Sequence, residues 1–416
     1  MIRAGIAAVV LLALGGDGRA QRTTRIGPAS RPATLSSRAD DPPPGSPHNI
    51  THSGRGAYEA SLAPDSGGGN AGGFAVAWYD TRDGHPEIYS RLLDKQGEPI
   101  GPERRMTNGA DRAYEAEIAT IGDNLAVAWY EVAANRTSHA MLGLWSRDGH
   151  RLWVRALALP ERISKNPVVR TTRSTIFCAW LAENAARDFE VYAAWFDAKG
   201  NPIEPAQRIG PAGQTTWNLN ATVDGRGRAW VVFDGRVDTR ADELFVARVD
   251  KSSSRVVRVT ADDGRPSKYP DLAVGGGRVA LTWFDERDGN KEVYLFVARE
   301  EELVEGLEAR ATRVTSTPGE SIGAYVAWNA KRHRFGLAWC DDTEGQHEVY
   351  FQSFDERGRP LELARRLTFN QTDSLIPAIT ASDDGFALVW NEYTPGPPGA
   401  HQLEEGRSEL AFTLVH

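Results

Sequence analysis

The chain has 416 residues, of which 41% are hydrophobic and 25% charged, a composition that supports one large globular domain or two smaller ones. Its formal net charge of −8 excludes a nucleic-acid or anionic-membrane surface, which would need clustered excess Lys and Arg.

The first residues, MIRAGIAAVVLLALGGDGRAQ, combine an early Arg, an apolar run from Ile6 to Leu14 and the small residue Ala20. That pattern predicts a signal peptide over 1–20 and export as a secreted or periplasmic protein, because the run is too short to span a bilayer. No Cys lies near position 20, so lipid anchoring at a cleaved terminus has no acceptor. Residues 21–46 are rich in Pro, Ser, Arg and Asp and carry almost no large apolar side chain, which predicts a flexible tether.

From residue 47 onward the sequence repeats. Strand-like runs carry Trp78, Trp129, Trp180, Trp283, Trp339 and Trp390, and the run AWVVFDG supplies a degenerate copy with Val232 at the equivalent place. Successive positions are 51, 51, 52, 51, 56 and 51 residues apart. A fixed period of this size marks a stacked or circular array. Each unit has a short run before the tryptophan strand, a third run such as EIYSRLLD or EVYFQSFD, a turn such as DKQGEP or DERGRP, and a closing run ending as RMT, RVT or RLT.

Four short antiparallel strands per unit with no sustained helical periodicity predict an all-β, seven-bladed β-propeller over 47–416. The last unit ends at His416 without a fourth strand, and the segment from Asn49 aligns with the fourth strand and onward of the next unit. The N-terminal strand is therefore expected to complete the last blade and close the ring, removing exposed sheet edges. The segment SGGGNAGG from Ser66 reads as an insertion between the first two strands of blade 1. Cys178 and Cys340 lie in apolar strands far apart and are expected to be buried free thiols.

With Trp, Asp and Arg on the second strand and the loop after it, and an Asp-Gly turn after the third, the chain resembles the bacterial secreted propellers of the broad sialidase-like superfamily. The resemblance covers nearly all of 47–416. It implies architecture more than activity. The stretch SRDGHRLW, Ser146 to Trp153, is a degenerate cousin of the family's Asp box, with His150 and Leu152 where Gly and Thr belong. The arginine triad, the Tyr-Glu nucleophile pair and the acidic proton donor of sialidases cannot be placed on particular residues, and those enzymes have six blades as a rule. Tryptophan-aspartate-repeat propellers place their motif on the third strand rather than the second.

Two groups of residues are candidates for function. On the face formed by the second-to-third and blade-to-blade loops stand Asp80 and Arg82, Asp234 and Arg236, and Asp285 and Arg287, with Asp341 alone in blade 6. The Asp-x-Arg spacing suits a carboxylate that accepts loop N–H groups while the Arg neutralises it. Recurrence from blade to blade favours a structural role, because catalysis needs groups in unlike environments.

The second group opens the innermost strands: Tyr58, Tyr114, Trp217, Tyr269 and Tyr325, beside Glu59, Glu115 and Asp271. Aromatic faces next to carboxylates suit a sugar or peptide; packing between blades would use the same rings. The nine histidines show no metal-ligand spacing, and no phosphate loop or dinucleotide fingerprint occurs. No cofactor is expected, calcium at CDDTEG (340–345) being the one candidate, although the EF-hand pattern is absent.

The sequence thus predicts a monomeric, non-enzymatic propeller that binds a carbohydrate, peptide or protein through its loop-rich face, with no nucleic acid and no membrane insertion. A sialidase-like glycoside hydrolase working in the axial pocket is the alternative. A purely structural envelope component is a third reading.

Overall fold

The computed structural model describes residues 46–65, 67, 72–158, 162–395 and 406–416. The expected signal peptide and all of the expected tether but Ser46 lie outside the described residues, as does most of the Ser66 insertion.

The described chain forms seven four-stranded antiparallel sheets. Blade 1 runs through Ala57–Asp65, Gly73–Asp80, Glu87–Leu93 and Pro99–Arg105, from the axis outward. Blades 2 to 6 repeat the order, with innermost strands Arg112–Ile121, Ser164–Thr171, Thr215–Val223, Ser267–Gly275 and Ser321–Asn329. Blade 7 takes Asp373–Ala381, Phe386–Thr394 and Arg407–Val415 from the C-terminal end and His48–Asn49 from the other end. No helix of the described residues is long and apolar enough to cross a membrane. Two 3₁₀ turns, Glu300–Glu302 and Leu307–Arg310, occupy the longer spacing between Trp283 and Trp339.

Ring closure has a defined latch. His48 pairs with Phe412 and Asn49 with Ala411, and the Ile50 N–H donates to the Leu410 carbonyl at 2.8 Å. The Glu409 carboxylate then accepts the Thr51 hydroxyl at 2.6 Å and the Ser53 and Gly54 N–H groups at 3.0 and 2.8 Å. Glu409→Ala is expected to cost about 2–4 kcal/mol, since three charge-assisted bonds across the seam go at once. Urea denaturation measures it; a loss below about 1 kcal/mol would mean that strand pairing alone holds the seam.

The core lies between blades. Each repeat tryptophan is buried against the preceding blade: Trp129 packs with blade 1 residues such as Ala77, Trp180 with Ala128 of blade 2, and Trp339 with Ala280 of blade 5. Each of Trp78, Trp180, Trp283 and Trp339 also stacks on the tyrosine of the adjacent strand, with centroids 5.8–6.3 Å apart. Cys178 and Cys340 are free and buried, and burial pushes the Cys340 thiol up to about 12.

Blade 4 corrects the sequence alignment by one residue. The tryptophan site is filled by Phe233, not Val232. Phe233 stacks on Phe245 at 5.4 Å and packs among blade 3 residues, whereas Val232 faces the other way, toward Trp283 of blade 5. Strand pairing agrees, because Asp80 pairs with Glu87 in blade 1 while Gly235 pairs with Glu243 in blade 4. A one-residue slip moves every side chain to the opposite face of a strand. Gly235 therefore stands where Asp80 stands, and Asp234 occupies the place of Tyr79.

Candidate functional site

The Asp-x-Arg corners of blades 1 and 5 share one geometry. Asp80 is fully buried and accepts the Trp78 indole N–H at 3.1 Å, the Ser53 hydroxyl at 2.8 Å, the Arg82 backbone N–H at 2.8 Å and the Arg82 guanidinium at 2.5 Å. Arg82 lies over the Tyr89 ring at 4.6 Å and also bonds Glu103. Burial alone would lower its pKa, but the hydrogen bonds to Asp80 and Glu103 hold it above the ordinary arginine value. Asp285 repeats this with Trp283 at 3.1 Å, Ser267 at 2.9 Å and Arg287 at 2.9 and 2.5 Å, with Arg287 4.6 Å over Tyr294.

Asp234 and Arg236 do not form the pair that their spacing predicts. The register shift turns Asp234 inward, where it accepts the Asn218 amide at 2.7 Å and the Tyr269 backbone N–H at 3.1 Å. Arg236 instead reaches Asp242 at 3.4 Å. In blade 6, Asp341 accepts Ser321 at 2.6 Å, Thr317 at 2.8 Å and the Thr343 N–H at 2.9 Å, while Asp342 accepts the Glu320 N–H at 2.7 Å. Among the described residues, no group of three or more His, Cys, Asp or Glu could hold a metal ion.

The axis encloses a cavity of about 1110 Å³ walled by the innermost strands. A β-bulge interrupts each of those strands near its start, setting two residues opposite one of the second strand. In six blades the first bulge residue has left-handed backbone: Glu59, Glu115, Asn166, Tyr269, Gly323 and Ile376, with φ between 48° and 62°. A non-glycine residue is uncommon there, and a β-branched one such as Ile376 is an outlier. All six line the cavity.

Their identities divide the ring. Glu59, Glu115, Asn166 and Tyr269, with Asn218 from blade 4, make a polar arc, and Gly323, Ile376 and Pro377 make a small, apolar one. The arc is electrostatically coupled. Burial first, then Asp234, Glu115 and Glu59, raise the Tyr269 phenol above its ordinary value, so it stays a neutral donor. Burial lowers Lys165, with Glu115 opposing, and its ammonium lies 4.3 Å from the Phe189 ring.

Deeper in the cavity, Arg170 bonds Glu117 at 2.6 Å and Asn220 at 2.9 Å. Asp271 accepts the Val326 N–H at 2.8 Å, and burial pushes its carboxyl up to about 7. Tyr325 lines the cavity near it and is raised by burial, Asp271 and others.

The five aromatic candidates are not equivalent positions. Tyr58 is fully buried, stacked 5.2 Å from Tyr79, with its hydroxyl donating to the Gly406 carbonyl at 3.0 Å. Tyr114 is half-buried and packs on Tyr79 at 5.3 Å and Tyr130 at 5.7 Å. Both precede the bulge, whereas Tyr269 is the bulge residue and Tyr325 follows it. Trp217 belongs to the displaced bulge of blade 4, is 46% exposed, and donates its indole N–H to Asp242 at 3.3 Å. Asp242 is held in turn by Lys268 at 2.8 Å.

The sequence reading missed Asn166, Asn218 and Arg170. One signal was available: Glu115, Asn166, Tyr269 and Ile376 each stand fourteen residues ahead of their blade's tryptophan.

No protein-family model matches the chain, and no curated protein is similar to it. Solved structures do share its fold. A protein of unknown function from Dyadobacter fermentans is 10% identical and matches with a TM-score of 0.52, over 89% of this chain and all of its own. A mutant α-L-arabinofuranosidase from Fusarium graminearum, in complex with an iminosugar inhibitor, is 10% identical with a TM-score of 0.50, over 72% of this chain and 92% of its own. A Hadza microbial sialidase is 12% identical with a TM-score of 0.46, over 79% and 73%. At these identities the likeness to the first two is one of fold alone.

Proposed function

We propose that the chain is an exported, non-enzymatic propeller that binds a carbohydrate at the mouth of its axial cavity. The observation that carries this reading is the amphipathic bulge ring: Glu59, Glu115, Asn166, Asn218 and Tyr269 offer acceptors and donors on one side, and Ile376 and Pro377 an apolar wall on the other. A sugar has both kinds of surface. Trp217, exposed next in sequence to the cavity-lining Asn218 and anchored through Asp242, adds a flat apolar face.

The glycoside-hydrolase reading gains less support. A carboxylate grip needs arginines free to converge, and Arg82, Arg236 and Arg287 each pair with an acid of their own blade. A glycan array followed by titration calorimetry tests the proposal. Trp217→Ala is expected to weaken the best glycan at least tenfold, about 1.4 kcal/mol, while Leu363→Ala, 87% exposed on blade 6, leaves it unchanged. Turnover of a glycoside by the pure protein, abolished in Glu115→Gln, would overturn the non-enzymatic reading.

A further inference from the structure

The corners of blades 1, 5 and 6 each neutralise a buried glutamate with an arginine of the fourth strand. Glu87 takes Arg105 at 2.6 Å, Glu292 takes Arg313 at 2.8 Å and Glu348 takes Arg366 at 2.5 Å. Each also accepts a threonine hydroxyl, from Thr107, Thr315 and Thr368. In blade 4 the threonine remains, with Thr260 donating to Glu243 Oε2 at 2.6 Å. The arginine does not. Arg258 bonds Glu305, in the longer segment between the third and fourth strands of blade 5.

Glu243 is fully buried, and its Oε1 has no hydrogen-bond partner. Its surroundings are short of partners too. Thr216, Gly235 and Glu243 are paired in one row across the sheet, so their side-chain directions share one face. Gly235 stands where Asp80 and Asp285 supply a carboxylate, and the Gln214 amide fills that space: a Cβ on Gly235 would lie 2.5 Å from Gln214 Nε2. Gln214 is 2% exposed and Thr216 is fully buried, yet Gln214 Oε1 and Nε2 and Thr216 Oγ1 also lack partners. Four polar atoms on three buried side chains of this corner therefore lack partners, each at a cost of about 1–3 kcal/mol if left unsatisfied.

The missing element is positive charge. Burial, and after it Asp262 and Asp263, push the Glu243 carboxyl up to about 7, against the pull of Thr260 and Arg258. Water would satisfy the polar atoms but not the charge. A divalent ion prefers several carboxylates, and this corner offers one carboxylate and neutral oxygens.

We propose that the blade 4 corner is a binding site for a monovalent metal cation, held by Glu243 Oε1, Gln214 Oε1 and Thr216 Oγ1 in the place that an arginine guanidinium takes in the corners of blades 1, 5 and 6. The site is separate from the cavity mouth, so its test does not depend on any glycan. Melting of the full chain is followed at pH 8.5 in KCl, NaCl or choline chloride of equal ionic strength. The expected result is a rise of about 2 °C or more in one metal salt over choline, absent in Glu243→Gln. Glu305→Gln, which releases Arg258 toward Glu243 without touching the corner, is expected to remove the same ion dependence while keeping the fold. Crystals grown with rubidium should show an anomalous peak beside Glu243. Equal melting temperatures in all three salts, or a peak-free map with water beside Glu243, would overturn the proposal.

Discussion

Asp80→Ala is expected to lower the unfolding free energy by about 3–5 kcal/mol, the range for removing one partner of a buried charge pair. The carboxylate is fully buried and gathers four donors from three places in the chain: Ser53 at the ring seam, Trp78 in the inter-blade core and Arg82 through both backbone and side chain. Alanine leaves the Trp78 indole N–H without its acceptor in a dry core. It also leaves Arg82 with Glu103 as its remaining side-chain acid partner. Asp80→Asn keeps two of the acceptor directions on one oxygen and should cost less, about 1–2 kcal/mol. Urea denaturation monitored by tryptophan fluorescence and by far-ultraviolet circular dichroism measures both. If Asp80→Ala loses less than about 1 kcal/mol while changing binding of a ligand, the corner serves recognition rather than scaffolding.

The propeller was legible because its largest side chains mark it. A buried tryptophan recurring every fifty-odd residues in six blades, and followed two positions on in blades 1, 2, 5 and 7 by an acid that accepts its indole N–H, is a constraint of packing and of hydrogen bonding at once, so composition cannot easily blur it. Blade 4 was misread because AWVVFDG offers Val231, Val232 and Phe233 in succession, all apolar, and periodicity does not choose among them. What chooses is a contact across strands, the stacking of Phe233 on Phe245.

The candidate site was less legible for a related reason. A bulge is a property of register, and a left-handed φ is a property of backbone, so Glu59, Asn166 and Ile376 share no residue type that marks their position; the spacing of fourteen to the tryptophan links Asn166 and Ile376, but Glu59, nineteen residues ahead of Trp78, breaks it. Tyr58 and Tyr114 drew attention as aromatics beside acids, yet their pairing places them one residue before the bulge, against neighbouring rings. Likewise Arg258 has the sequence context of Arg105 and Arg313. Only the folded segment around Glu305 shows why it goes elsewhere.

Asp271→Asn is expected to change how stability depends on pH, with the variant gaining on the parent chain as pH rises. Asp271 lines the axial cavity between Tyr325 and the Glu117–Arg170 pair, 6% exposed, and burial outweighs the bonds from the Val326 and Leu272 backbones and the charge of Arg170. Its folded pKa of about 7 exceeds the unfolded value of roughly 3.9. Between those values the folded chain holds a proton that the unfolded chain has released, so the contribution is fully present below about pH 4 and is lost as pH rises through 7. At about 1.4 kcal/mol per unit over roughly three units, the difference approaches 4 kcal/mol. Other carboxylates slope the opposite way, since Asp224, Asp285 and Asp373 are held below their ordinary range by partners that outweigh their burial and favour the native state above the acid region. The comparison is therefore between variant and parent at each pH. Asparagine retains an oxygen for the Val326 N–H and sheds the titration. Guanidinium unfolding at pH 4.5 and 8 should show near-equal stability at the first and a gain of about 2–4 kcal/mol for the variant at the second. A gap that stays constant between the two would mean that Asp271 is ionised throughout, neutralised by Arg170, and that the cavity floor presents a carboxylate to its ligand at neutral pH rather than an acid able to donate.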